Sequence, residues 1–145
     1  MRPAYNFEPQ YRVNMLTRED WTKETGAPPA VKGVVWYTDG SMMREGTGAG
    51  VYGQSVGRRL SFSLGRYATV LQVEIYAILA CACEIQSQNR PEKYMSICSS
   101  SLTALKALKA VKTTSPLVQQ CQKVLNDISI WHAVSLFWVP GHAGL

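Results

Sequence analysis

The sequence predicts a single α/β domain in which a mixed sheet packs against helices, and three observations carry that reading. Short β-branched and aromatic runs follow one another between residues 34 and 65 with turn-forming residues between them, the pattern of an antiparallel meander. Long segments of helical apolar period then alternate with short strand-like runs, the pattern of helical crossovers back onto a sheet. The length of 145 residues, with 46% hydrophobic and 17% charged, suits one domain with its own core and sets disordered and fibrous classes aside.

Residues 1–32 are mixed in charge, carry Tyr5, Phe7 and Tyr11 without sustained period, and close on the proline-rich joint "GAPPAVKG". They are expected to form an extended lead-in to a domain spanning 33–145. Within it, "VVWYTDGS" reads as a strand stopped by Asp39-Gly40-Ser41, and "GAGVYGQ" and "RRLSFSLG" as two more strands separated by a turn at "SVG". "TVLQVEIYAILACACEIQSQ" reads as a helix, because Leu71, Ile75, Ile78, Ala82 and Ile85 recur on one face. "KYMSICS" is a strand. "LTALKALKAV" is a helix with Leu102, Leu105 and Leu108 inward and Lys106 and Lys109 outward, Pro116 opens a third helix, and "AVSLFWVP" is the last strand. The order is β-β-β-α-β-α-α-β, with no internal repeat.

Fifteen Lys and Arg against ten Asp and Glu give a net charge of +5, a lean towards an anionic partner. The excess belongs to the folded part: Arg44, Arg58, Arg59, Arg66, Arg90, Lys93, Lys106, Lys109, Lys112 and Lys123 lie beyond Gly33. Cys81, Cys83, Cys98 and Cys121 form no C-x-x-C, and three of them sit in apolar periodic segments, which argues against zinc or a disulfide framework. The start "MRPAYNFEPQ" has no apolar h-region, and no run approaches the ~18 apolar residues of a membrane span. The expectation is an intracellular protein, cytoplasmic or nuclear, without a membrane partner.

Gly48, Gly50 and Gly53 spell G-x-G-x-x-G, but the segment alternates like a strand and opens no helix, so dinucleotide binding is set aside. Asp39 alone reads as a turn residue, since Asp-Gly is a common turn pair. Glu74 lies on the helical stripe that faces the sheet, where an unpaired carboxylate costs several kcal/mol of desolvation. Two readings stand for it: its stem packs while its head reaches water, or it belongs to a site. Adjacent parallel strands lie about 4.8 Å apart and share one carboxyl edge. The crossover therefore brings Asp39, Glu74 and Ser100 to that edge, where open α/β sheets place their sites. Two of these three positions are acidic.

"WYTDGS", "GTGAGVYG", "TVLQVEIYAIL", "ICSSSLTALKAL" and "FWVPGHAGL" resemble, in this order and spacing, the ribonuclease H domain that follows a reverse transcriptase in non-LTR retrotransposons. The resemblance covers residues 33–145, and "YNFEPQYRV" with "REDW" is similar to the connector preceding that domain. It implies a ribonuclease H-like five-stranded mixed sheet flanked by helices, and hydrolysis of the RNA strand of RNA/DNA hybrids with two Mg²⁺ (or Mn²⁺) held by four carboxylates. Asp39 and Glu74 match the first two. Where the family has Asp, in an "ICSDS" motif, this sequence has Ser100, whose hydroxyl suits a helix cap but brings no negative charge. The family's last acid follows the "GHAG" loop on a helix, beyond Leu145. The expectation is a fold without that helix, an uncovered apolar patch at Phe137 and Trp138, weak Mg²⁺ binding, and cleavage that is reduced or absent.

His142 matches a loop histidine that assists proton transfer or product release in the family. Thr69, Gln72 and, through its main chain, Ser41 match positions that touch the hybrid. For Thr69, an ordinary helix N-cap stands as an equal reading. The alternative function is a catalytically inactive nucleic-acid-binding or structural remnant of a retrotransposon.

Overall fold

The chain was described from a computed structural model, which covers residues 5–21, 30–43, 46–53, 58–65 and 69–140. The meander forms as expected: β3 (Val34–Met43) pairs antiparallel with β4 (Gly46–Gly53), and β4 with β5 (Arg58–Gly65). Beyond the meander lie α2 (Val70–Gln88), β6 (Tyr94–Ser99), α3 (Leu102–Lys109), β7 (Lys112–Thr113), α4 (Pro116–Ile128) and β8 (Ala133–Trp138). Strands β3, β6 and β8 are mutually parallel, so the five strands of the domain make a mixed sheet with helices packed on it.

The lead-in contributes a sixth strand. Before β3 come β1 (Tyr5–Asn6), β2 (Arg12–Asn14) and α1 (Arg18–Trp21), and β2 pairs in parallel with β8 to give the sheet order β2-β8-β6-β3-β4-β5. Strand β1 pairs with β7 in a separate two-stranded ribbon. Phe7 and Tyr11 are buried in the core, and the Tyr11 hydroxyl donates to the Leu108 carbonyl at 2.6 Å. The side chain of Asn126 on α4 clamps the lead-in from both sides, accepting from the Gln10 amide at 2.8 Å and donating to the Glu8 carbonyl at 3.1 Å.

Helix α2 carries the core on one face of the sheet. Ile75, Ile78, Ala82 and Ile85 are at most 1% exposed, as their spacing predicts, and Thr69 starts the helix with a capping box. Contrary to the expectation from hydropathy, this 19-residue helix is long and apolar enough to cross a membrane, with a mean hydropathy of 1.3. Here its apolar stripe lies in the core, against the sheet, α3 and α4. In α3, Leu105 and Leu108 point inward, but Leu102 is 42% exposed and Ala104 takes the inward position, because the cap at Ser101 sets the helix phase.

Strand β3 does not stop at Asp39-Gly40-Ser41 but runs to Met43, because β4 pairs with it along its whole length, ending at Met43 opposite Gly46. Gly48, Gly50 and Gly53 lie inside β4, with a register shift between Thr47 and Gly48, and they open no helix. All four cysteines are free, with Cys81, Cys98 and Cys121 buried.

The opposite face of the sheet holds a smaller cluster, Tyr37, Cys98, Phe137 and Val139. Of the patch expected to lie open, Phe137 is covered on this face, and Trp138 packs half-buried against the helical-face core. Phe137 is 1% exposed, and Leu16, Trp21 and Val31 of the lead-in pack on the cluster. The Trp21 indole donates to the Trp138 carbonyl at 2.8 Å, and the Arg18 guanidinium sits 5.9 Å from the Trp138 ring.

Candidate active site

The parallel register of β3 and β6 runs from Val34 opposite Met95 to Thr38 opposite Ser99. The next residues along the two strands are Asp39 and Ser100, so the sheet brings these positions to one edge, as the crossover topology predicts. Thr38 is 3% exposed, and its hydroxyl bonds across to the Cys98 carbonyl at 3.3 Å, fixing the strand pair just before the edge. Asp39 itself is exposed. Its place inside a strand removes the turn-residue reading.

Glu74 reaches the same edge from the first turns of α2, and Gly40 is what lets it. A Cβ at Gly40 would lie 2.7 Å from Val73 Cγ1 and 3.0 Å from Glu74 Cδ, so any other residue there would push the helix away. The missing side chain puts the Gly40 amide against the carboxylate, to which it donates a hydrogen bond. Sequence reasoning passed over Gly40 by assigning it to a turn. The available signal was a glycine directly after an edge acid on a strand crossed by a helix.

Glu74 is 7% exposed, and its Oε2 is buried without a hydrogen-bond partner. The head therefore does not reach water, and the first of its two readings falls. Burial, followed by the neighbouring charge of Asp39, pushes its pKa up to about 7, against a smaller downward pull from the Gly40 amide. Among the described residues, no cationic side chain offsets the burial of this carboxylate.

Three serines follow β6, and the structure separates their roles. Ser99 is fully buried and accepts from the Ser101 amide at 3.1 Å. Ser101 is the N-cap of α3, accepting from the Ala104 amide at 3.1 Å. The cap is therefore Ser101 and not Ser100, because the helix begins one residue later than the cap reading of Ser100 requires. Ser100 is half-buried, and its carbonyl accepts from the Trp138 indole at 3.2 Å, which ties this edge to β8.

Thr69 and Gln72 are both exposed and engaged with each other: the Gln72 amide donates to Thr69 Oγ1 at 3.1 Å, and the Thr69 amide to Gln72 Oε1 at 2.8 Å. The capping reading of Thr69 is thus the one the geometry displays. Ser41 lies in β3, with only its backbone described. His142 lies outside the described residues.

The donor set suits a hard divalent cation in kind, since Asp39 and Glu74 offer carboxylate oxygens and one of those oxygens is buried without a partner. It falls short in number: among the described residues no three His, Cys, Asp or Glu side chains come together.

A mixed sheet of this strand order with helices against it is a ribonuclease H-like α/β fold. The RNase H family model matches residues 31–145, and the chain belongs to that family. Ribonuclease H-type function, with nucleic-acid binding and hydrolase chemistry, comes with the membership; such domains act on RNA/DNA hybrids, and the family uses divalent metals. No curated protein matches the chain.

Proposed function

We propose that the chain is the ribonuclease H domain of a non-LTR retrotransposon, built to hydrolyse the RNA strand of RNA/DNA hybrids and impaired at one ligand position. The observation that carries the site is the buried, unpartnered Oε2 of Glu74 beside Asp39. Burying a carboxylate without a partner is costly enough that sites retaining one tend to use it. Asp39 and Glu74 would hold Mg²⁺, with Mn²⁺ as the alternative. In this chemistry paired cations position the scissile phosphate, make water nucleophilic and stabilise the leaving oxygen.

This chain's own residues then divide the work. Gly40 orients Glu74 through its amide, Trp138 holds the Ser100 segment, and the exposed Thr69 and Gln72, with the Ser41 main chain, would meet the hybrid backbone and its 2′-hydroxyls. His142 would assist proton transfer or product release. The resemblance in "WYTDGS" and "ICSSSLTALKAL" supports the retrotransposon origin and a reverse transcriptase domain as partner in the parent polyprotein. The setting would be intracellular, cytoplasmic or nuclear.

Ser100 supports a second reading, a nucleic-acid-binding remnant without turnover. Replacing a carboxylate by a hydroxyl takes one negative charge from the ligand set, and even the loss of a residue supporting a ligand typically costs about 10- to 100-fold. Mg²⁺-dependent cleavage of a labelled RNA/DNA hybrid separates the two readings. The chain should cleave weakly or not at all, and Ser100→Asp should raise the rate by about 10-fold or more. Full activity in the unaltered chain would remove the impairment. Tight hybrid binding with no cleavage by either form would favour the remnant.

A further inference from the structure

A second feature lies at the other end of the parallel strands. Residues at the start of β6 and β8, together with β2 and the lead-in before β3, line a cleft of about 500 Å³, within the range of built ligand pockets. Arg12, Lys32 and Lys93 line it, with Asn14, Tyr94 and Ser135 between them, and among the described residues no carboxylate lines it. The composition is rich in donors of the kinds that contact phosphate oxygens.

Two of the cations, Lys32 and Lys93, are positioned by Tyr94 and Ser96. The Ser96 hydroxyl donates to the Lys32 carbonyl at 2.7 Å and accepts from the Lys32 amide at 3.1 Å, which pins Lys32 to β6. The next residue, Gly33, has φ +79°, and a Cβ there would come within 2.1 Å of the Tyr94 carbonyl oxygen, so the lead-in is pressed onto Tyr94. Lys32 Nζ lies 4.2 Å from the centre of the Tyr94 ring and Lys93 Nζ 5.4 Å from it. Two ammonium groups brought to one ring repel each other, and a bound anion would offset that repulsion. With the ring engaged by cations, the cleft suits phosphate contacts rather than base stacking.

Strand alternation puts Arg12, Asn14, Tyr94 and Ser135 on the same side of the sheet as Tyr37 and Asp39. The six steps from Tyr94 to Ser100 span about 20 Å at ~3.3 Å per residue. The cleft is therefore separate from the acidic edge and shares its face.

We propose that this cleft binds the phosphodiester backbone of a single nucleic-acid strand. A single strand presents successive phosphates to the three cations and suits a cleft of about 500 Å³. The inference builds on the family's nucleic-acid binding but not on cleavage, and its test needs neither a hybrid nor a metal.

The test is titration of the full chain with the single-stranded octamer dT8 at low salt without divalent metal, followed by amide NMR shifts and by fluorescence anisotropy of labelled dT8. The amides of Tyr94 and Ser135 should shift, and log K should fall against log salt with a slope near −2, about −0.7 for each of three phosphate contacts. The Arg12→Gln/Lys32→Gln/Lys93→Gln variant should bind at least about 10-fold more weakly with a slope near zero. Lys106→Gln/Lys109→Gln/Lys123→Gln removes the same charge from exposed positions on α3 and α4 and should change binding little. Absence of shifts at Tyr94 and Ser135 would overturn the proposal whatever the hybrid does. So would equal weakening by both triple variants, or displacement of dT8 by poly-glutamate at equal charge concentration.

Discussion

The two faces of the sheet are closed by different means. One is covered by α2, α3 and α4, whose apolar stripes supply most of the buried side chains. The other buries Tyr37, Cys98, Phe137 and Val139 under Leu16, Trp21 and Val31, residues of a segment with no periodicity of its own. Helices packed on a sheet can be read from spacing, since each stripe declares its inward side. A lead-in that folds back can bury as well, but its contacts are set by residues about one hundred positions away or more, such as Tyr11 with Leu108, or Arg12 with Ser135 in the finished sheet.

The largest expected effect tests whether the lead-in belongs to the core as fully as a helix does. Tyr11 is 5% exposed and hydrogen-bonded, so Tyr11→Ala should cost about 3–5 kcal/mol in urea unfolding, comparable to the about 2–5 kcal/mol expected for Ile78→Ala. A cost below about 1 kcal/mol for Tyr11→Ala would mean that the lead-in only rests on a fold complete without it.

The next prediction concerns the flaw in the helical face. Glu74 keeps its proton in the folded state up to about pH 7, whereas the unfolded chain releases it near the ordinary 4.5. The folded state therefore binds more protons between these values, and stability should fall as pH rises through that window. Glu74→Gln should remove this slope and raise the urea midpoint at pH 8 above that of the parent, measured without divalent metal. Added Mg²⁺ should raise the parent's midpoint and leave the variant's unchanged.

The smallest effect distinguishes neighbouring serines. Ser101→Ala removes a helix cap and should cost about 1 kcal/mol. Ser100→Ala, which touches no cap, should stay within about 0.5 kcal/mol. Thermal melts of the two variants check this, and equal losses would show that the edge at Ser100 is structural.

Much of this architecture is legible in the amino acids. Ile75, Ile78, Ala82 and Ile85 define α2, Pro116 begins α4 behind its Ser115 cap, and the crossover topology alone brings Asp39, Glu74 and Ser100 to one edge. The misses share a physical cause. Asp39-Gly40 looks like a turn unless one knows that β4 will pair beyond it, Leu102 looks inward until the cap at Ser101 sets the helix phase, and β2 is too short to alternate visibly. In each case tertiary pairing decides what local chemistry leaves open. The meeting of Asp39 and Glu74 at one edge is legible in the sequence, whereas the void at Gly40 that seats Glu74 appears only once helix and strand are packed.

The parallel pairing of β2 with β8 also has a consequence in time. Arg12 finds its partner only when Ser135 exists, about 120 residues later in the chain, and at roughly 5–20 residues per second a ribosome needs about 6–25 s to cover that distance. During most of that interval the partners of Tyr11 and Trp21, Leu108 and Trp138, are not yet made, so the lead-in settles after the elements that follow it, and the emerging chain presents it to chaperones while the meander is already able to form.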